Sequence, residues 1–110
     1  MITLVVILTV RSSAADLFRS FERQAAVIMS RHGGAIERTV VVRGRSEDLF
    51  REIHIVTFPG DDAFAAYRDD PELSAIAHLR EASVTATEVM VGEDGPDYGV
   101  MPQPEREEGA

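Results

Sequence analysis

Ile2-Thr-Leu-Val-Val-Ile-Leu-Thr-Val10 is a run in which only two threonines interrupt aliphatic side chains. Successive side chains of a strand point to opposite faces. Both faces of this strand are therefore apolar, the pattern of a strand covered on both sides. The run falls far short of the roughly 20 residues that cross a bilayer. Basic residues do not precede it and small residues do not follow it, so it does not read as a leader. A buried strand, no membrane association and a cytoplasmic location are expected.

Working outward, Ser13-Ala-Ala-Asp16 resembles a capping box. Leu17, Phe21, Ala25 and Ile28, flanked by Phe18 and Met29, then recur at helical spacing. Arg19, Glu22, Arg23 and Arg31 take the other positions. Gly33-Gly34 ends the helix, since glycine tolerates the left-handed conformation that closes one. Residues 35–43 and 49–58 read as strands around the turn Gly44-Arg-Ser-Glu-Asp48. A connection this short favours an antiparallel hairpin. Pro59-Gly60 breaks the chain, and Asp61-Asp62 places negative charge where a helix dipole favours it. That helix carries Phe64 and Tyr67 and pauses at Asp69-Asp70-Pro71, a cap followed by a proline suited to the first helical position. A short helix with Leu73, Ile76, Ala77 and Arg80 on one side leads into a last strand over 83–91. The order is βαββαβ: an α+β, ferredoxin-like antiparallel sheet with its helices on one face, over residues 1–92. Residues 93–110 are rich in glycine, proline and acid, and are expected to be a mostly disordered tail. Tyr98, Val100 and Met101 in it are candidates for docking on a partner subunit.

Helices on one face leave the other face of the sheet to be covered. Four strands of about eight residues make a face of about 500 Å², at the large end of what monomers leave exposed. Pairing two such faces removes roughly 1,000 Å² from water, on the order of 25 kcal/mol gross. Association costs roughly 4–15 kcal/mol, so a twofold homodimer is expected.

Composition narrows the function classes. The chain has no cysteine, which excludes disulfides and thiolate chemistry. Residues 93–110 hold six acids and one arginine, leaving −3 of the net charge of −8 for the other 92 residues. This acidity argues against nucleic-acid binding, and the aromatic pattern of an RNA-binding sheet is missing. His32, His54 and His78 lie on three separate elements, with no metal-site spacing. No glycine pattern suggests a phosphate loop. Arg38, Arg43, Arg45 and Arg51 cluster on the central hairpin, either as an anion-binding patch or, the more usual role, as solvated charge.

Arg31-His-Gly-Gly34, His54-Ile-Val-Thr-Phe-Pro59 and Asp70-Pro-Glu-Leu73 running into Leu79-Arg-Glu-Ala82 resemble the dimeric α/β-barrel superfamily. Antibiotic-biosynthesis monooxygenases, haem-degrading oxygenases and small polyketide cyclases belong to that group. The nearest resemblance is to an uncharacterised bacterial family within it, and it covers residues 1–92. It implies a small-molecule pocket between sheet and helices. Phe50, Glu52, His54, Val56 and Phe58 would face this pocket from the sheet, with Phe21, Phe64, Tyr67 and Ile76 opposite.

His54 is either a general acid or base, its reference pKa being near neutral, or a core histidine with a hydrogen-bond partner. Tyr67 stands where the related cyclases carry a pocket tyrosine. Their catalytic histidine two residues after the proline is Leu73 here, so their mechanism does not transfer, and packing is an equal reading. Arg80 is either a bidentate ligand for a carboxylate or enolate or a helix-end charge. In the haem-degrading relatives the axial histidine follows the proline by six residues. Here that position is Ala77, and His78 is one residue, about 100° of helix, too late. The chain also lacks the tryptophan those enzymes use. No cofactor is expected.

Two functions compete. One is a small cofactor-independent enzyme, an oxygenase, cyclase or isomerase acting on an aromatic or polyketide-like molecule. His54, Tyr67 and Arg80 would be catalytic, and Phe21, Glu52, Val56, Phe58, Phe64, Ile76 and His78 would bind substrate. The other is a non-catalytic dimeric module that holds a small hydrophobic ligand or a protein partner. A cavity in which at least two of His54, Tyr67 and Arg80 converge within hydrogen-bond reach of one point favours the first, and a filled core around His54 the second.

Overall fold

The computed structural model describes residues 1–44 and 46–99. Its elements are β1 (Ile2–Arg11), α1 (Ala15–Arg31), β2 (Ala35–Val41), β3 (Leu49–Phe58), α2 (Asp61–Arg68), α3 (Pro71–Ala75), α4 (Ala77–Ser83) and β4 (Val84–Gly92). The strands form one antiparallel sheet in the order β2-β3-β1-β4. The helices pack on one face, the α+β, ferredoxin-like arrangement expected.

The central pair carries the register. β1 and β3 match without a shift from Ile2 opposite Phe58 to Arg11 opposite Leu49. Even-numbered residues on both strands face the helices, and Leu4, Leu8, Val10, Phe50, Val56 and Phe58 are buried there. Both edge strands are irregular. Glu37 is an extra residue in β2, between Ile36 and Arg38, and Thr85 is one in β4, where Thr9 meets Ala86 and Val10 meets Val84. Each is a bulge, two residues standing against one.

Two apolar clusters result. Leu4, Met29, Val56 and Phe58 form one, joined by Phe64 and Tyr67. Leu8, Val10, Phe18 and Phe50 form the other. Between them along β3 lie Glu52 and His54, both buried.

The helix ends differ from the sequence reading in instructive ways. The capping box at Ser13 does not form. The chain leaves β1 through a 3-10 turn over Ser12–Ala14, and α1 starts at Ala15 with no side-chain cap. The inward stripe of α1 is Phe18, Phe21, Ala25, Ile28 and Met29, while Leu17 is 42% exposed. At the other end Gly33 takes φ +77°, as such a terminus favours. Gly34 then passes so close to the core that a Cβ there would lie 2.6 Å from Met29 Cγ and against the Phe58 ring. Asp70 caps α3, its Oδ1 accepting from the Glu72 N–H at 2.9 Å. The single helix expected after Pro71 is two, because Ile76 at φ −106°, ψ 5° departs from α geometry.

The second strand ends at Val41 rather than residue 43. Residues 93–99 are exposed and lack regular structure, although Thr3 Oγ1 donates to Asp94 Oδ1 at 2.9 Å. Val100 and Met101, with the rest of the expected tail, and Arg45 lie outside the described residues. Among the described residues no helix is long and apolar enough to cross a membrane.

The outer face of the sheet carries Val5 and Ile7 of β1, Ile53 and Ile55 of β3, Val40 of β2 and Met90 of β4. Val40 and Met90 are among the exposed large apolar residues. The greasy second face read from the sequence is therefore present.

Candidate functional site

A cavity of about 340 Å³ lies between the sheet and the helices. Its floor is Leu4, Val6, Leu8, Val56 and Phe58 of the central strands. Phe21 and Met29 of α1 form one wall, and Phe64 of α2 with Leu73 of α3 another. Ile36 and Val89 line it from the two edge strands. Five ionisable side chains reach it: Glu22, His54, Tyr67, Arg68 and Arg80. They come from α1, β3, α2 and α4, so the polar pole exists only in the folded chain.

His54 is held from three sides. Its Nε2 lies 2.8 Å from Glu52 Oε1, and the other oxygen of Glu52 accepts from Arg19 Nη1. Glu52, paired with Arg19, acts as the acceptor, so Nε2 is the ring nitrogen that donates to it. Phe18 stacks on the imidazole, centroids 6.4 Å apart and planes at 29°. Arg19 in turn sits over the rings of Phe18 and Phe50, 5.3 and 5.7 Å from their centroids. Such contacts hold a guanidinium on aromatic faces. The remaining nitrogen, Nδ1, is 3.8 Å from Glu22 Oε1, too long for a hydrogen bond. Among the described residues nothing hydrogen-bonds to it, which leaves it open to accept a proton.

Burial shifts two cavity groups upward. Desolvation raises the Glu22 carboxyl above the ordinary carboxylate range, and Glu52 adds to this, while His54, Arg80 and Arg19 oppose it. Desolvation also pushes the Tyr67 phenol up to about 12, with Glu22 adding and Arg80 opposing. Tyr67 is thus a hydrogen-bond donor throughout the physiological range. Arg80 donates to Thr87 Oγ1 of β4, which ties the end of α4 to the sheet. Arg68 stands 4.5 Å over the Phe64 ring.

The predicted set divides cleanly. His54, Tyr67, Arg80, Phe21, Val56, Phe58 and Phe64 line the cavity. Glu52 does not; it stands behind His54. Ile76 and His78 do not line it either. Ile76 is the junction between α3 and α4, and His78 is exposed one position past Ala77, which does line the cavity. Glu22 and Arg19 escape the sequence reading because it sets them off the apolar stripe of α1. Glu22 nonetheless falls four residues after Phe18 and three before Ala25, in the middle of the stripe that is buried. Among the described residues no group of three or more histidine or acidic side chains is placed to hold a metal.

No protein-family model matches the chain, and no curated protein matches it in sequence. Solved structures do match in shape. SnoaB, a cofactor-independent oxygenase from Streptomyces nogalater, superposes with a TM-score of 0.63 at 22% identity, over 89% of this chain and 96% of that one. An antibiotic biosynthesis monooxygenase gives 0.63 at 13% identity, over 87% of this chain and all of the other. The chain has the fold of the antibiotic biosynthesis monooxygenases. A protein of unknown function from Rhodopseudomonas palustris shares it too, with a TM-score of 0.71 at 16% identity over 87% and 83%. The sheet and the helices packed on it fix where the cavity lies. Its chemistry rests on the side chains that this chain places there.

Proposed function

We propose that the chain is a small cofactor-independent enzyme, an oxygenase, cyclase or isomerase, acting on an aromatic or polyketide-like molecule with an acidic C–H or O–H. One observation carries this reading. His54, Tyr67 and Arg80, from three different elements, line a single cavity whose walls are otherwise largely apolar. His54 takes the proton at Nδ1, while Glu52 stabilises the imidazolium through Nε2. Tyr67 donates a hydrogen bond to the ligand oxygen. Arg80 supplies positive charge as that oxygen becomes an enolate. SnoaB, of like fold, is a cofactor-independent oxygenase, which adds support for the class of reaction and none for a particular substrate.

The test uses 2-tetralone, an enolisable ketone fused to an aromatic ring, in D2O. The protein is expected to catalyse exchange of the ring-activated C–H for deuterium, followed by NMR. His54→Ala should lower the rate on the order of a hundredfold. Native mass spectrometry of the purified chain would report any co-purifying organic molecule. A wild-type protein that accelerates no exchange, yet carries a bound hydrophobic ligand, would instead be a binding module.

The same proposal includes a homodimer through the outer sheet face. Ile55 lies at its centre, opposite Val5. Ile55→Asp should give a monomer by light scattering at micromolar concentration where wild type is a dimer. A monomeric wild type, or a dimer that survives this charge, rules that interface out.

A further inference from the structure

Glu22 is the acidic group of the cavity, and the mechanism above does not use it. It reaches the cavity from α1 and stands 3.8 Å from the free nitrogen of His54. The charged and titratable groups that act on it come from four elements: His54 and Glu52 on β3, Arg80 on α4, Tyr67 on α2 and Arg19 on its own helix. Three of these already have partners, since Glu52 and Arg19 pair with each other and Arg80 donates to Thr87. Among the described residues no arginine makes a direct ion pair with Glu22, and burial favours its neutral form. The cavity therefore holds a proton acceptor, His54 Nδ1, beside a carboxyl able to give a proton away.

We propose that Glu22 is a second proton-carrying group of this site, a general acid that exchanges protons with His54 and returns a proton to the ligand oxygen. The inference rests on the proton-transfer reading of the preceding section. In the step, His54 Nδ1 takes the proton of the substrate C–H, and the C–H electron pair becomes the C=C bond of the enol. The C=O π pair moves onto oxygen, which takes the proton of the Glu22 carboxyl. His54 ends protonated and Glu22 ionised, an adjacent opposite-charge pair, and proton transfer between them resets the site. The net change is keto–enol tautomerisation, without oxidant or reductant.

Two measurements on the full-length chain test this. The first needs no ligand: imidazole 15N and glutamate side-chain carboxyl 13C shifts are followed against pH. Glu22 should titrate above the other carboxylates, and the His54 shifts should show an inflection at the same pH. That inflection should vanish in Glu22→Gln. Folding favours the protonated carboxyl, so this group's contribution to stability is greatest at low pH and falls as pH rises past the ordinary carboxylate value. Glu22→Gln should remove that slope. The second is exchange into 2-tetralone. Glu22→Gln should lower the rate at least tenfold and abolish its decline on the alkaline side of the carboxyl titration, and Glu22→Asp should restore part of the rate.

Glu22 titrating with the exposed acids, or His54 shifts indifferent to Glu22→Gln, overturns the proposal. So does exchange that Glu22→Gln leaves unchanged while His54→Ala abolishes it, a result that spares the function proposed above. A wild type that exchanges nothing removes that function, and the acid role of Glu22 with it.

Discussion

Phe18→Ala is expected to lower the unfolding free energy by about 4 kcal/mol. Phe18 is 0% exposed. Its ring meets Phe50 edge-on at 6.3 Å, stacks on His54 at 6.4 Å and lies beneath the Arg19 guanidinium. Truncation removes apolar burial and opens a cavity that a sheet and a helix cannot close. Against a total stability of roughly 5–15 kcal/mol for a domain of this kind, that loss is a large fraction. Thermal unfolding should fall by roughly 15 °C, and urea titration should show a lower midpoint at an unchanged slope. Phe18→Leu should recover most of the loss. A Phe18→Ala protein within about 1 kcal/mol of wild type would mean that this cluster does not carry the core.

Glu52→Ala should be nearly as damaging and should also cost activity. Glu52 is 1% exposed and holds two partners, Arg19 and His54 Nε2. Removing one member of a buried ionic network costs about 3–5 kcal/mol when the other is left dry. Arg19 is 40% exposed and recovers hydration, so about 3 kcal/mol is expected, most of it from the buried imidazole N–H left without an acceptor. Glu52→Gln keeps an acceptor oxygen and should cost less stability. It cannot balance an imidazolium, and proton transfer through His54 should still fall steeply. The double replacement Arg19→Met with Glu52→Leu should be more stable than Glu52→Ala alone, yet inactive. That split between stability and turnover separates a role in holding His54 from a role in holding the fold. Equal activity of Glu52→Gln and wild type would deny Glu52 any part in the chemistry.

The fold was legible because its signals are periodic and local. Residues 2–10 and 49–58 announce strands, Gly33-Gly34 and Asp70-Pro71 mark helix ends, and the short turn between residues 43 and 49 demands a hairpin. The helix N-terminus was not legible. A serine followed three residues later by an acid is only a local hint, and the chain used a 3-10 turn at that point instead. The site was half legible. Alternation along β3 placed His54, Val56 and Phe58 on one face, and any regular strand obeys that rule. It placed Glu52 on the same face but could not say that Arg19 would pair with it there. That contact joins residues 33 positions apart. Glu22 was hidden by its charge. A carboxylate is read as solvent-facing unless its neighbours at helical spacing are weighed first, and here Phe18 and Ala25 outvote it.

The two bulges bear on how chain length can vary in this architecture. Each sits on an edge strand and already holds one residue that pairs with nothing in register. Deleting Glu37 would leave β2 regular, with Thr39 still beside His54 and Arg38 still on the far side. Homologues one residue shorter or longer there, or at Thr85, can keep every cavity side chain in place. The β1–β3 pair has no such slack. A single insertion in β3 ahead of Glu52 would turn Glu52 and His54 away from the helices in exchange for Ile53 and Ile55, and one within β1 would turn buried residues of that strand outward. Gaps in an alignment of homologues should therefore gather at the two bulges and be missing from the central pair.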